Sequence, residues 1–354
     1  MSFFLTVEPL GDTIPVEKGQ SVLDAALRAG IWLPHACNHG LCGTCKVTVV
    51  EGEVHHNHAS SFALMDMERE EGLCLACSAT LASDIVIEAD IEEELDSERH
   101  PVRDFDGTIS RIEQLTPSIK GVWIHVDGSG VAFQAGQYIN LFLPDLDIPR
   151  AFSIASSPRI PDEIELHVRK VEGGVATTYI HDKLKVGDPV KFSAPFGQFF
   201  VRKSSPEPII FLAGGSGLSS PKSMIMDLLD SSDTREITLC YGARTMEEIY
   251  FHDFFRELEK KKQNFKYFVA VSNDETVGPW VNEKANVNEL ADTIFQGSFT
   301  GYKAYICGPP QMVDATITTL MRGRLFEEHI FVENFYTGDH SDGKGRRSAL
   351  FKKF

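Results

Sequence analysis

The chain has 354 residues, 42% of them hydrophobic and 24% charged. At roughly 150 residues per domain this suggests two or three domains with real cores and excludes general disorder. The longest apolar run, around Ile209–Ala213, is far below the ~20 residues of a membrane span, and a net charge of −17 argues against broad nucleic-acid binding.

The first ten residues lack the basic flank of a secretory signal. Seven cysteines without an export signal point to thiolate chemistry in a reducing, cytoplasmic setting rather than to a disulfide scaffold. Charge is uneven. Residues 1–98 hold 18 acids against 4 bases, whereas the segment from Gly338 to Phe354 is basic. An acidic face of this kind reads either as a solvated surface or as a docking face for a basic partner.

In chain order, Phe3 to Glu8 and Thr13 to Glu17 flank Gly11-Asp12, a hairpin signal. Ser21 suits the N-cap of a helix from Val22 to Ala29 that stops at Gly30. An acidic run from Glu88 to Glu98 followed by His100-Pro101 reads as an exposed linker. Strand signals then dominate at Gly107–Ile112, Gly121–Val126, Tyr138–Leu143, Glu163–Arg169 and Val190–Ser193. Only Val175–Leu184 looks helical there, so this middle piece predicts a small antiparallel barrel. After Lys203-Ser-Ser-Pro206 the pattern alternates. Strands are expected at Ile209–Leu212, Ile237–Tyr241, Tyr267–Val271 and Lys303–Ile306, with helices at Ser223–Leu229, Met246–Lys260 and Gln311–Met321. That alternation predicts a parallel α/β sheet. The expected division is 1–95, a linker at 96–103, 104–204, 205–338 and a basic tail at 339–354.

Cys37-x4-Cys42-x2-Cys45 follows Trp32-Leu33-Pro34, and Cys74-x2-Cys77 comes about thirty residues later. Gly40 and Gly43 let the loop curl so that its N–H groups can face a buried anionic centre. The x4/x2 spacing with one distant cysteine is that of a plant-type [2Fe–2S] cluster. A zinc site from Cys42, Cys45, Cys74 and Cys77 is the main rival. Its gap of 28 residues exceeds the usual ~15–20, and it leaves Cys37 idle. Five cysteines are offered for four ligand positions. His55, His56 and His58 read as exposed loop.

Arg150-Ala151-Phe152-Ser153 opens a strand. An arginine can pair with a pyrophosphate, an aromatic can stack on a ring, and a hydroxyl can meet a ring nitrogen. His167-Val168-Arg169 is followed by Gly173-Gly174-Val175-Ala176-Thr177, a glycine turn into a helix N-terminus, which is an anion site. Gly214-Gly215-Ser216-Gly217 lies between a strand and a helix, with Ser220 suited to the N-cap and Pro221 to the first helical position. It is not G-x-G-x-x-G. Cys307-Gly308-Pro309 ends another strand at the same sheet edge, where open α/β sheets bind ligands.

Together these residues resemble the ferredoxin–NADP reductase family, whose Arg-x-Tyr-Ser flavin motif is matched by Arg150, Phe152 and Ser153 with Phe in place of Tyr. Its nicotinamide motifs are matched by Gly214–Gly217 and by Cys307-Gly308-Pro309. Glu333-Asn-Phe335 resembles its terminal Glu-x-aromatic, although here 19 residues follow the aromatic. The resemblance implies a β-grasp ferredoxin domain, an antiparallel β-barrel flavin domain and a parallel α/β nicotinamide-binding domain. It also implies FAD contacts from Arg150–Ser153, His167–Arg169, Gly174–Thr177 and Phe335, NADH contacts from Gly214–Gly217 and Cys307–Pro309, and Ser153, Cys307 and Glu333 beside the site of hydride transfer. The Leu-x-Cys ending of ferredoxin domains is matched by Leu75-Ala76-Cys77. That implies Cys37, Cys42, Cys45 and Cys77 as the cluster ligands and leaves Cys74 as a buried apolar residue.

The order of the three pieces is similar to that of the reductases of bacterial oxygenases. Nearly the whole chain resembles the reductases of multicomponent phenol hydroxylases, in Cys37–Cys45, Phe62-Ala-Leu-Met-Asp66, Ile209–Pro221 and Arg347–Lys352. The resemblance implies electron flow from NADH through FAD and the cluster to an oxygenase component, with a diiron centre there and a monomeric reductase. A reductase of an aromatic-ring dioxygenase or other oxygenase system is the alternative. NADH is expected over NADPH, because Asn273, Asp274 and Glu275 offer a 2′-phosphate no cation; Arg244 is the one nearby base.

Overall fold

In the computed structural model the described residues are 2–335, apart from 37, 39, 92–94, 145, 147 and 148. Cys37, the centre of the acidic run and the basic tail at 339–354 therefore lie outside the described residues. The first unit contains β1 (Phe3–Glu8), β2 (Asp12–Val16), α1 (Val22–Arg28), β3 (Lys46–Glu51), β4 (Val54–His55), α2 (Asp66–Glu70), β5 (Leu73–Leu75), β6 (Thr80–Leu81) and β7 (Ile85–Glu88). The main sheet runs β2-β1-β7-β3-β5, and β4 pairs separately with β6. Ser21 caps α1 as expected, accepting from the Asp24 N–H at 3.1 Å. Val22, Leu23, Ala26 and Leu27 bury one face of α1 against Leu5, Val7 and Ile87, the i, i+4 stripe of an amphipathic helix on a half-buried sheet.

The second unit contains β8 (Arg103–Gln114), β9 (Ile119–Val126), β10 (Tyr138–Phe142), β11 (Arg150–Ser153), β12 (Glu163–Arg169), α3 (Val175–Asp182) and β13 (Pro189–Phe196). Its antiparallel strands run β11-β10-β13-β8-β9-β12. An Ile154–Leu166 bridge brings the two edges together into a nearly closed barrel, which removes the exposed edges an open sheet would present.

The third unit contains β14 (Ile209–Gly214), α4 (Ser219–Asp230), β15 (Ile237–Ala243), α5 (His252–Lys261), β16 (Phe265–Val271), α6 (Val287–Ile294), β17 (Lys303–Gly308), α7 (Pro310–Arg322) and β18 (Ile330–Asn334). All its strands are parallel, in the order β16-β15-β14-β17-β18. β14 is buried along its whole length, as a central strand with both faces covered must be. Strands are added outward on one side of β14 (β15, β16) and then on the other (β17, β18), so the C-terminal ends of β14 and β17 form the switch point at which such sheets bind ligands.

Two expectations need correction. The helix predicted at Met246–Lys260 is broken: a 3₁₀ turn at Met246–Glu248 is followed by Phe251 in the left-handed region (φ 54°), and α5 starts only at His252. Phe251 adopts that conformation because its ring packs against His167, Tyr250 and Phe254. Ser220 is not an N-cap. A 3₁₀ turn at Gly215–Leu218 runs straight into α4, and Ser220 sits inside its first turn. The segment 96–103 exposes Glu98, Arg99, Pro101 and Arg103 and is also stitched to the barrel. Glu98 N–H donates to Gln134 Oε1 (3.0 Å), Gln134 Nε2 donates to Asp96 O (2.7 Å), and the Asp96 carboxylate accepts from Ser204. Strand β18 and helix α6 were not foreseen.

Candidate functional site

The cysteine loop is shaped by its glycines. Gly40 and Gly43 take φ of +69° and +74°. A Cβ on Gly40 would press on the 58–59 backbone at 3.1–3.3 Å, and one on Gly43 on Ala63 O at 3.2 Å. The loop can therefore curl under the 58–63 segment only with glycine at both places. Cys42, Cys45 and Cys77 are buried around it. The Cys77 thiol bonds to Cys45, feels Cys42 and is approached by the Gly40 N–H; the Cys45 contact and burial push it well up, and the Gly40 amide opposes them. Cys74 lies fully buried in the apolar core on β5, its thiol pushed up to about 12 by burial and by Cys77. Paired thiolates with an amide aimed at them are the donor set of an iron–sulfur cluster, so the residues present fit that group.

Beside the barrel, Ser153, Cys307 and Glu333 come together. Cys307 and Glu333 are register neighbours on β17 and β18, which is why two residues 26 apart in sequence can touch. Glu333 Oε2 accepts from the hydroxyl of Ser220 (2.6 Å), from that of Ser153 (3.2 Å) and from the thiol of Cys307 (3.4 Å). Burial raises the Glu333 carboxyl above its usual range against the three donors, and burial next to Glu333 pushes the Cys307 thiol well up. The glycines of the 214–217 loop permit close packing: a Cβ on Gly217 would meet Cys307 O at 2.3 Å, and one on Gly214 would meet Met312 Sδ at 2.3 Å. The loop after β14 and the turn after β17 thus sit side by side. Pro309 is the N-cap residue of α7, and Phe335 N–H donates to Gly308 O at 3.1 Å.

Other expected positions are deployed differently. The His167 imidazole is fully buried and committed to protein partners: Nε2 meets Glu165 Oε1 at 2.8 Å and Nδ1 meets Tyr250 Oη at 3.1 Å. The Val168 and Ala176 side chains lie in the barrel core. His167, Val168 and Ala176 therefore have only backbone to offer a ligand. The Thr177 hydroxyl accepts from Val171 N–H and donates to Gly174 O, closing its own turn. Gly174 is the N-cap residue of α3 with no side-chain cap, and Val175 is exposed. Arg150 and Phe152 are half-buried and Ala151 is exposed at the barrel edge. Arg169 reaches the nicotinamide-side loop, since a Cβ on Gly215 would lie 2.8 Å from its Nη1.

Sequence reasoning missed Ser220, Lys222 and Tyr250. Lys222 Nζ is buried 2.7 Å from Glu165 Oε2 and 3.2 Å from Ala155 O. Burial alone would raise the Glu165 carboxyl, but His167 and Lys222 outweigh it and hold it at about 2. Tyr250 also donates to Gly215 O at 3.3 Å. The one available signal was a lysine inside an otherwise apolar helix segment, Ser223–Leu229 with Lys222 before it.

Family models match three consecutive segments: a 2Fe-2S iron-sulfur cluster binding domain at residues 5–82, an oxidoreductase FAD-binding domain at 107–201 and an oxidoreductase NAD-binding domain at 211–318. The chain is 55% identical to the phenol 2-monooxygenase reductase component DmpP of Pseudomonas sp. (strain CF600), covering 100% of both chains. It is 50% identical to the phenol hydroxylase P5 protein of Acinetobacter pittii (strain PHEA-2), covering 99% of both. Among solved structures, the Amycolatopsis cytochrome P450 reductase GcoB superposes with a TM-score of 0.86 at 31% identity, over 94% of this chain and 98% of that one.

Proposed function

This chain belongs to the family of phenol hydroxylase reductase components, and on that premise we propose which of its residues carry electrons from NADH to the hydroxylase. FAD, NAD-binding and 2Fe-2S domains are all present. When bound, the flavin takes two electrons as hydride and releases them singly to a cluster that stores one at a time. We assign Cys37, Cys42, Cys45 and Cys77 as the cluster ligands. Arg150, the unfilled N-terminus of α3 at Gly174 and Arg169 meet the anionic parts of FAD, and Phe152 and Phe335 flank its ring system. Gly214–Gly217 and Cys307–Pro309 receive NADH at the switch point. The observation that carries this reading is the convergence of Ser153 from the barrel with Ser220, Cys307 and Glu333 from the α/β domain on one carboxylate oxygen.

In this reading Glu333 orders the two faces of the hydride site. It holds the Ser153 hydroxyl at the flavin edge and the Cys307 thiol at the nicotinamide edge, and burial raises its own carboxyl above the usual carboxylate range. Reduction of the hydroxylase uses the other side of the cluster loop. Leu41, Phe62, Met65 and Met67 are exposed there, Phe62 at 74% and Met67 at 61%, beside Asp66, Glu68 and Glu70 and within a segment of net charge −14. An apolar centre with an acidic rim suits a hydroxylase surface with a basic rim. We further assign a diiron centre to that hydroxylase and a monomeric, cytoplasmic state to the free reductase. The described cysteines are free thiols, and no helix among the described residues is long and apolar enough to cross a membrane.

The test is reconstitution. The purified protein should show flavin and iron–sulfur absorbance and deliver NADH electrons to a phenol hydroxylase oxygenase component, with an association rate that falls as salt rises. Delivery to an aromatic-ring dioxygenase instead would move the partner assignment, and a salt-independent rate would remove the acidic docking face.

A further inference from the structure

Between the cysteine loop and the barrel lies a small junction built from side chains that none of the assignments above uses. His35 is fully buried. Its Nε2 accepts the Gly197 N–H at 2.9 Å, so the ring proton sits on Nδ1 and is donated to Leu33 O at 2.8 Å. Tyr138, on β10, donates its hydroxyl to Ala36 O at 2.7 Å. The Tyr138 ring stacks on Phe196 at 5.6 Å, and the edge of Phe196 meets His35. Gly197 (φ +95°) has to be glycine: a Cβ there would lie 2.9 Å from the Tyr138 ring. Its N–H goes to His35, and its C=O accepts from Gln137 Nε2 at 3.1 Å. The Tyr138 hydroxyl, both His35 ring nitrogens and the Gly197 peptide groups are thereby all paired, and the contact is specific rather than merely apolar.

Tyr138 faces both ways. In the β10–β11 register it lies directly opposite Ser153, the barrel's contribution to the hydride site. Its hydroxyl ends on Ala36, the residue before Cys37 in the chain. We propose that Tyr138, seated by His35 and Gly197, is a positioning residue for flavin-to-cluster electron transfer, fixing the cysteine loop against the barrel strand that borders the flavin. The proposal rests on the FAD and cluster assignments above. Each transfer oxidises the reduced flavin by one electron and reduces the cluster by one. The flavin's protons leave to solvent, and the second electron follows once the hydroxylase has drawn the first. Transfer depends on the separation and coupling of the two groups, whereas the hydride site assigned above gathers at Ser153, Cys307 and Glu333, so the two rates should separate.

The experiment is anaerobic stopped-flow mixing of the loaded full-length protein with NADH, following flavin and cluster absorbance separately. In Tyr138→Phe the ring and its stacking remain and the bridge to Ala36 is lost. Flavin reduction should keep its rate, iron content should stay unchanged, and cluster reduction should slow about tenfold, the equivalent of about 1.4 kcal/mol. His35→Gln, which can still accept from Gly197 and donate to Leu33, should transfer faster than His35→Leu, and amide exchange at Gly197 should accelerate in the Leu variant only. Unchanged cluster reduction in Tyr138→Phe would overturn the proposal. So would an equal fall in flavin reduction, which would place Tyr138 in flavin binding, or loss of iron, which would make it a prop of the loop alone. An unmodified protein without a cluster would instead overturn the cofactor assignment itself.

Discussion

The two junctions that the barrel makes are built from different chemistry. Toward the α/β domain it buries charge: Glu165 and Lys222 are paired across the boundary, His167 and Tyr250 complete the network, and Glu333 reaches back to Ser153. Toward the ferredoxin domain it offers the neutral groups of Tyr138 and Gly197, with an Arg28–Asp104 ion pair (2.8 Å) that is partly solvent-exposed. Breaking a buried pair strands a charge and costs several kcal/mol, whereas exposed pairs and neutral hydrogen bonds each contribute about 1 kcal/mol or less. The first junction must therefore hold as one unit so that hydride donor and acceptor stay aligned. The second can be adjusted, in keeping with a domain that must also meet a hydroxylase.

The largest effect that sharpens this comparison is on the cluster. Cys77→Ser should abolish iron binding, from near two irons per chain to almost none, while flavin content and NADH-driven ferricyanide reduction persist. Cys74→Ser should keep its iron, and the reverse pattern would exchange the two cysteines' roles. Next comes Lys222→Met, which leaves Glu165 buried without its cation. The flavin–nicotinamide pair should lose about 3–5 kcal/mol in denaturant unfolding, with the ferredoxin domain little changed. Glu165 is held at about 2, so its contribution is complete above the ordinary carboxylate range and is lost only as pH falls through that value. In Lys222→Met its pKa rises and acid unfolding should start at higher pH. Equal destabilisation of both junctions would break the comparison.

Coenzyme choice is a smaller effect. Arg244 is exposed, and its carbonyl accepts from Asn273 N–H at 2.8 Å, which brings it beside the 272–275 turn, while the Asp274 carboxylate accepts from Met246 N–H at 2.6 Å. With Asp274 and Glu275 against one arginine, NADH should exceed NADPH by about tenfold in kcat/KM, and Asn273→Arg with Asp274→Ser should narrow the gap. Equal efficiency in the unmodified protein would show that Arg244 outweighs both acids. The smallest effect is in Ser220→Ala, which removes one donor to Glu333. Because that donor lowers a carboxyl already raised by burial, the carboxylate limb of the pH profile for flavin reduction should move to higher pH.

Much of this was legible in the sequence because local signals and tertiary demands agreed. The Cys37–Cys45 spacing, the glycine turns at 173–174 and 214–217, and the apolar strands of the α/β sheet each carry their meaning locally. What was not legible depended on contacts across the fold. Met246–Lys260 has helical composition, but Phe251 and Tyr250 are drawn into the junction with the barrel and break the helix. Ser220 has cap chemistry, yet Glu333, 113 residues away, claims its hydroxyl. Lys222 and His35 look like ordinary polar residues until a second domain is laid over them.

The account's central claim is a single ordered path from NADH through the flavin and the cluster to the hydroxylase. The most direct test is anaerobic single-turnover mixing of NADH with the unmodified protein and with Cys77→Ser, in the presence of the hydroxylase component. The account predicts flavin bleaching at the same rate in both, followed by cluster and then hydroxylase reduction only in the unmodified protein. Hydroxylase reduction at an undiminished rate in Cys77→Ser would contradict it, since electrons would then leave the flavin without passing through the thiolates of the ferredoxin domain.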